Sequence, residues 1–530
     1  MAEGERGSKW WTLAAVCGAT FMLLVDVTIV QVALPTIQRE FAASFSDLQW
    51  VIDAYALMLA SLILTGGSLA DRYGRKRVFV AGLGVFTVAS FLCGVAPGSS
   101  FLIAARALQG VGGAAMFATG LALIGQEYAG VDRARAIAAW GATVGAAVGV
   151  GPLLGGLITD GLGWRWVFFV NVPVGIVTVV IAALRTTNKV DPESKRLDIA
   201  GVLTFSGGLF LAVLGLVRGN DDGWGSSMIV SLFAGAAVLI VSFVVVELRQ
   251  RRPMFDMSLF RKPAFSGVSL GTFSIGAGMF AAFPYITFYL QNGLGYSPLQ
   301  GGLRLLPSTI PCFVVPLLLR RTGERAPAGL MLGLGLGLVT IGEVLMATGL
   351  APGSGWTALL PGMIVSGVGI GIANPGIAKI ALGVVPPQRS GMASGISNTF
   401  RIAGLATGVA ALGALFQDRL TSSLTSAIGH SAGGLATAVA SRGIHAVSTT
   451  DGAGTRGTGS SANPASHLVS EALHAYVSAT SDLLLAGGLV VLVGAVASVA
   501  MIRSRDLQAG AHAAGSSGDR RPDDALEKAG

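Results

Sequence analysis

The sequence predicts an all-α membrane protein: two six-helix halves with two further helices between them. Three observations predict it. Charged residues make up only 12% of the 530 positions, with a mean hydropathy of +0.68. An ordinary soluble domain carries about 25% charged residues, so this chain has too little polar surface for a water-soluble fold of its size. The apolar residues fall into long runs, and about 20 such residues cross about 30 Å of hydrocarbon as a helix. Lys and Arg collect in alternate segments between those runs, the positive-inside asymmetry.

Taken in order, fourteen spans are expected. Span 1 (12–34) follows Arg6 and Lys9 and carries Asp26; its length and that acid mark it as an uncleaved span, not a signal peptide. Spans 2 (49–69) and 3 (78–96) flank a turn holding Asp71, Arg72, Arg75, Lys76 and Arg77. Spans 4 (101–124) and 5 (136–158) are glycine-rich, and Arg106 lies in span 4. Span 6 (166–184) starts beside Trp164, Arg165 and Trp166, which suit the membrane interface. Spans 7 (199–217) and 8 (227–247) have basic flanks: Arg185, Lys189, Lys195 and Arg196 before them, Arg249, Arg251, Arg252, Arg261 and Lys262 after. Spans 9 to 13 follow at 265–289, 301–319, 328–349, 357–381 and 393–416, and span 14 at 480–502.

With the amino terminus inside, most of the 36 Lys and Arg face the cytoplasm, and the even span count brings the carboxyl terminus there too. Residues 417–475 are rich in Ala, Gly, Ser and Thr and are expected to form an outer loop of disordered or fraying chain; 506–530 read as a disordered cytoplasmic tail.

A repeat supports the two halves. Leu69, Asp71, Arg72 and Gly74 between spans 2 and 3 have a counterpart in Leu318, Arg320, Arg321 and Gly323 between spans 10 and 11. Gly110 and Gly112 in span 4 are echoed by Gly367 and Gly369 in span 12. Residues 1–186 and 263–505 then form the halves, and 187–262 is an inserted two-helix hairpin. Transporters are commonly built from such repeats, with the site at their interface.

Several functions are excluded. Cys17, Cys93 and Cys312 lie in apolar runs without metal-site spacing, and His430, His445, His467, His474 and His512 all fall late in the chain. No lysine follows a glycine, so there is no P-loop. The net charge of +8 reflects anchors at an anionic leaflet, not a nucleic-acid footprint. No cofactor, metal or enzymatic activity is expected.

Asp26 is the costly residue. A carboxylate at bilayer depth is expensive unless paired, protonated or hydrated. Burial disfavours the charged form of a carboxyl and a nearby guanidinium favours it, so a group held between these effects can load and release a proton. Asp26 lies about eight residues inside the outer end of span 1 and Arg106 about six inside that of span 4, a depth difference of about 3 Å at the helical rise. The two are expected to face each other. Glu343 in span 11 is a further candidate proton or cation site, in competition with a packing or lipid-facing role. Gly141, Gly145 and Gly149, and Gly151 and Gly155, recur every four residues in span 5, which lets helices approach closely. Pro152 lets that span bend.

The run from Asp26 through Thr28 and Gln31 to Pro35, the turn Gly67 to Arg77, the run Arg106 to Gly113 and the run Gly145 to Gly156 appear in this order at these topological positions. Together they resemble the major facilitator superfamily, and within it the fourteen-span drug:proton antiporters, which typically have Asn where Gln31 stands. The resemblance implies a major facilitator fold and a proton-coupling role for Asp26 and Arg106. It also implies an inner gate latched by Asp71, Arg72, Gly74, Arg75 and Arg77. Gly145, Gly149, Gly151, Pro152, Gly155 and Gly156 resemble the antiporter signature that marks exporters. The expected activity is proton-driven export of small toxic lipophilic compounds across the cell inner membrane by alternating access, by a monomer among membrane lipids. The alternatives are a proton-coupled importer and a non-transporting sensor or scaffold. Candidate substrate-cavity residues are Met22, Asp53, Tyr55, Met58, Phe117, Phe280, Phe283, Tyr285, Phe288, Tyr289 and Asn398. Arg304 and Arg401 are expected to snorkel toward opposite faces.

Overall fold

The computed structural model describes residues 3–128, 130–186, 198–250, 257–319, 326–384, 390–428 and 464–502. The described residues are helical, with no strand among them. The helices are α1 (Glu3–Phe41), α2 (Phe45–Tyr73), α3 (Arg75–Gly94), α4 (Ser99–Glu127), α5 (Gly130–Gly161), α6 (Trp166–Phe169), α7 (Asn171–Arg185), α8 (Ile199–Asp222), α9 (Ser227–Arg249), α10 (Pro263–Ile275), α11 (Ala281–Phe288), α12 (Pro298–Leu318), α13 (Ala328–Gly349), α14 (Leu360–Gly383), α15 (Ser390–Ile428) and α16 (Pro464–Met501). Among the described residues, 13 helical segments are long and apolar enough to cross a membrane. α2, 29 residues long and not one of these 13, packs on α4 and α15.

The expected spans were short at their ends. Span 13 was expected to stop at 416, but α15 runs to Ile428; α16 begins at Pro464, well before 480. Part of the expected loop 417–475 is therefore helical. Arg419, which reads as loop, pairs at 3.2 Å with Asp482 of expected span 14 and so ties the extension of α15 to α16. The remainder of that loop and the tail 506–530 lie outside the described residues. Span 9 is a single run from Pro263 to Gly293 with two π-helical turns, Gly276–Phe280 and Tyr289–Gly293, around α11. Span 6 is broken at Val170 into α6 and α7.

The two halves repeat the same packing. In the first, α2 and α3 pack on α4, α3 on α7, and α1 on α5 and α7. In the second, α12 and α13 pack on α14, α13 on α16, and α10 on α15 and α16. The glycine echo has the same physical basis in both. A Cβ at Gly112 would stand 2.5 Å from the Phe86 nitrogen on α3, and one at Gly369 2.5 Å from the Gly335 oxygen on α13. Gly110 and Gly367 likewise meet α2 and α12 backbone. The second span of each half opens on a capping box. Ser44 and Asp47 bond reciprocally at 3.0 and 3.1 Å, and Ser297 and Gln300 at 3.3 Å.

The halves meet along two seams, α5 with α12 and α2 with α15. The hairpin α8–α9 lies against the second seam: α8 packs on both α2 and α15, Trp50 meets Phe210, and Asn220 donates to the Ala414 carbonyl.

Candidate functional site

Asp26 and Arg106 meet inside the first half. Arg106 Nη1 donates to Asp26 Oδ2 at 2.5 Å. Five helices converge on this pair. Gln109, one turn along α4, donates from Nε2 to Asp26 Oδ1 at 2.9 Å and to Ser90 of α3 at 2.8 Å, and accepts from Arg106 at 2.6 Å. Asn171, the first residue of α7, donates to Asp26 Oδ1 at 3.0 Å. Arg106 Nε donates to the Val51 carbonyl of α2 at 3.0 Å, and its guanidinium lies 4.1 Å from the Tyr55 ring centroid. Asp26 is 0% exposed and Arg106 1%, so the pair is sealed from water in this state. Such a buried charge pair is tolerable only because its remaining lone pairs and protons are bonded.

Gln109, Asn171 and Ser90 were missed as site residues. Neutral polar residues in a span carry no charge anomaly to flag them, although Gln109 sits in the span 4 run from Arg106 to Gly113. Tyr55 was expected in the substrate cavity; its ring instead covers Arg106, and its hydroxyl donates to the Leu23 carbonyl at 3.4 Å.

The segment that leads into α6 and α7 is tied to α1 and to the end of α3. Trp164 Nε1 donates to Glu40 at the end of α1 at 2.6 Å, Arg165 pairs with the same carboxylate, and Arg165 also donates to the Ala96 carbonyl at 3.3 Å. Trp164 is buried, so it is a bolt between α1 and α6, not a lipid anchor; Trp166 is exposed.

The glycines of α5 serve two faces. Gly151 and Gly155 lie on Thr28 and Ile29 of α1. Gly145 and Gly149 face Phe313 of α12, and a Cβ at Gly156 would stand 2.6 Å from the Pro298 oxygen. Pro152 lies within the helix, and its carbonyl packs on Gly302 of α12. The run therefore holds α5 against both its own half and the other.

Toward the end bearing the α1–α2 turn, which the charge asymmetry predicts to be outer, amides and aromatic rings close the space between the halves. Phe45 contacts Tyr285, Phe288 and Phe416 at 5.6–5.9 Å between centroids. Gln49 and Tyr285 both donate to the Val409 carbonyl, at 3.1 and 2.6 Å. Gln291 donates to the Val32 carbonyl at 2.9 Å, and Asn292 to Gln38 at 3.2 Å. Tyr285 and Phe288, expected to line a cavity, are part of this closure.

The other expected residues are dispersed. Met58 packs against Gly110, Phe117 against Trp140, and Met22 is buried in the first half. Phe280, Phe283 and Tyr289 lie along the span 9 helix, the latter two buried. Asp53 is 0% exposed, and among the described residues neither carboxylate oxygen has a partner. Glu343 is also fully buried, without a partner among the described residues, and lies against Gly487 and Gly488 of α16 in the second half. A lipid-facing position for it is thereby corrected: the flanking glycines let α16 close over it. At the turn after span 2, Gly74 has φ +98°, a conformation that favours glycine, and Arg75 donates to the Ala122 carbonyl of α4 at 3.1 Å. Arg72 lies 5.2 Å from the Tyr73 ring, and Arg77 is exposed. The Asp71 side chain and the counterpart turn at Arg320 and Arg321 lie outside what is described.

Known proteins share this sequence and fold. The family model for the Major Facilitator Superfamily matches residues 16–409. A probable actinorhodin transporter of Streptomyces coelicolor is 37% identical over 82% of this chain and 77% of its own length. The multidrug resistance protein Stp of Mycobacterium tuberculosis is 35% identical over 78% and 77%, and the tetracenomycin C resistance and export protein of Streptomyces glaucescens 32% identical over 79% and 78%. Among solved structures, a bacterial homologue of the human lysosomal transporter Spinster, inward-facing and unoccupied, aligns with TM-score 0.60 at 18% identity, covering 95% of this chain and 98% of that one. The helical architecture, its repeated halves and the sequence match agree: this chain is a multi-pass membrane protein of the Major Facilitator Superfamily, a family of transporters and not of enzymes.

Proposed function

We propose that this protein exports antibiotic-like or drug-like lipophilic molecules across the cell membrane in exchange for protons, with both termini in the cytoplasm. One observation carries the coupling: a carboxylate and a guanidinium, both sealed at bilayer depth, are locked together by Gln109 and Asn171. A proton on Asp26 would cancel its charge and weaken its hold on Arg106. Arg106 would then keep its bonds to Val51 and Gln109 and its stack on Tyr55, all on α2 and α4. Loading the proton thus loosens α1 and α7 from α2 and α4, within the half that must rock. Glu343 offers the second half a carboxyl for a further proton.

The closure by Phe45, Gln49, Tyr285 and Phe416 fits a state sealed on the outside and awaiting substrate from within. Alternating access then consists of breaking this seal while the turn around Asp71, Gly74 and Arg75 latches the inner side. The α5 glycines let α5 and α12 slide at close range during that exchange. The export direction is supported by relatives named for antibiotic or multidrug resistance and export.

Everted membrane vesicles test the reading. On energisation they are expected to accumulate a drug to which expression of the protein confers resistance, and a protonophore is expected to abolish the accumulation. Resistance without any energised accumulation would overturn it.

A further inference from the structure

Arg401 is a charge at membrane depth that the coupling site does not use. It lies six residues inside the apolar segment Gly395–Ser426 of α15, about 9 Å deep at the helical rise. Asn398 Oδ1 accepts from its Nη2 at 2.9 Å, and among the described residues no carboxylate pairs with it. Arg401 is half-buried, and intramembrane cations are paired or line a pathway. Snorkelling to the lipid interface does not describe it, because the side chain lies within electrostatic range of Cys312, a buried residue of α12. α12 belongs to the seam with α5 and α15 to the seam with α2. A guanidinium that leaves α15 toward α12 therefore lies between the two seams, in the space the halves enclose.

The nearest acid by register is Asp53. The bonds from Gln49 to the Val409 and Ala410 carbonyls fix the antiparallel register of α2 and α15. They set Asp53 about level with Leu405, one helical turn from Arg401 or about 6 Å along the axis. Among the described residues Asp53 is nonetheless unpartnered, so it does not bond the guanidinium. A guanidinium held by one amide oxygen has four further N–H donors in a planar fork that fits a carboxylate or phenolate.

We propose that Arg401 is a substrate-binding residue that recognises an anionic oxygen, carboxylate or phenolate, on an otherwise aromatic or apolar molecule, with Asn398 positioning its fork. This rests on the export reading for its physiological meaning, but the binding site itself is testable apart from transport. A phospholipid headgroup would offer the same charged oxygen, so the test separates the two sources.

The probes are 9-anthracenecarboxylate, its neutral methyl ester, and tetraphenylphosphonium, measured by equilibrium binding to the full chain in phosphatidylcholine nanodiscs. The wild type should bind the carboxylate about tenfold or more tightly than the ester, the scale of a charge-assisted hydrogen bond. Arg401→Gln should erase that preference and leave tetraphenylphosphonium binding within about twofold. Arg401→Lys, which keeps the charge, should retain part of the preference and guards against a glutamine variant that does not fold. Equal binding of carboxylate and ester by the wild type overturns the proposal. So does an equal loss of all three probes in a folded Arg401→Gln. If added phosphatidylglycerol abolishes the preference, the site is a lipid site and the proposal fails. Everted vesicles decide the other reading independently. Uptake of tetraphenylphosphonium without carboxylate preference leaves export standing and removes Arg401, whereas carboxylate discrimination without energised uptake of any probe does the reverse.

Discussion

Replacing Arg106 by Met strips the buried site of its only contributed positive charge and leaves Asp26 facing two neutral donors. Removing one member of a buried pair typically costs about 3–5 kcal/mol. Gln109 at 2.9 Å and Asn171 at 3.0 Å still bond Oδ1, which places Arg106→Met near the lower end, about 3 kcal/mol. Asp26→Asn keeps the shape, and Arg106 retains the Val51 carbonyl, Gln109 and Tyr55, so its cost is about 1–2 kcal/mol. The double variant buries no charge, and its cost should be close to that of Asp26→Asn alone. The predicted coupling energy is therefore about 3 kcal/mol, well above the few tenths expected of independent sites. The assay is a double-mutant cycle on equilibrium unfolding of the purified protein in mixed micelles. Additive costs, within about 0.5 kcal/mol, would refute the locked pair.

Three further outcomes are expected. Gly156→Val pushes a side chain into the Pro298 backbone of α12 and should cost about 1–3 kcal/mol by overpacking, with export lost while the protein still reaches the membrane; full resistance in a susceptibility assay would contradict the seam. Trp164→Phe removes the 2.6 Å bond to Glu40 and should lower stability by about 1.5–3 kcal/mol, read as a drop in thermal midpoint, with no change taken as evidence against the bolt. Phe45→Ala deletes three ring contacts of the outer closure, a loss of about 3–5 kcal/mol to that state, and should raise labelling of a cysteine placed at Tyr285 by a membrane-impermeant thiol reagent; unchanged labelling would mean the rings do not gate.

Charge at depth was the legible part of the sequence. Residue positions relative to the span ends pair Asp26 with Arg106, because a charge in hydrocarbon is costly without a partner and helical rise converts position into depth. The glycine echo was legible for a similar reason: Gly112 and Gly369 each replace a side chain where backbones cross. Azimuth was not legible. α13 is apolar all round, so hydropathy did not say that Glu343 turns toward α16 and not toward lipid. Tyr55 and Tyr285 read as cavity aromatics, yet one covers a guanidinium and the other bonds the Val409 carbonyl of its own half while its ring meets Phe45 of the first, and none of these partners is near in sequence. Asn171 is a neutral amide in an apolar span, and its bond to Asp26 depends on which way that face of α7 turns. The extension of α15 was missed because polar residues beyond 416 read as loop, whereas helices continue past the lipid when, like Arg419 with Asp482, they find a partner.

The central claim is that the proton which drives export passes through Asp26. Its most direct measurement is the proton flux evoked by substrate in everted vesicles, followed with an internal pH dye, for wild type and Asp26→Asn. The wild type should dissipate a preformed acid-inside gradient when substrate is added. Asp26→Asn should bind that substrate with little change in affinity and release no protons. Substrate-evoked flux of wild-type size in Asp26→Asn would contradict the account.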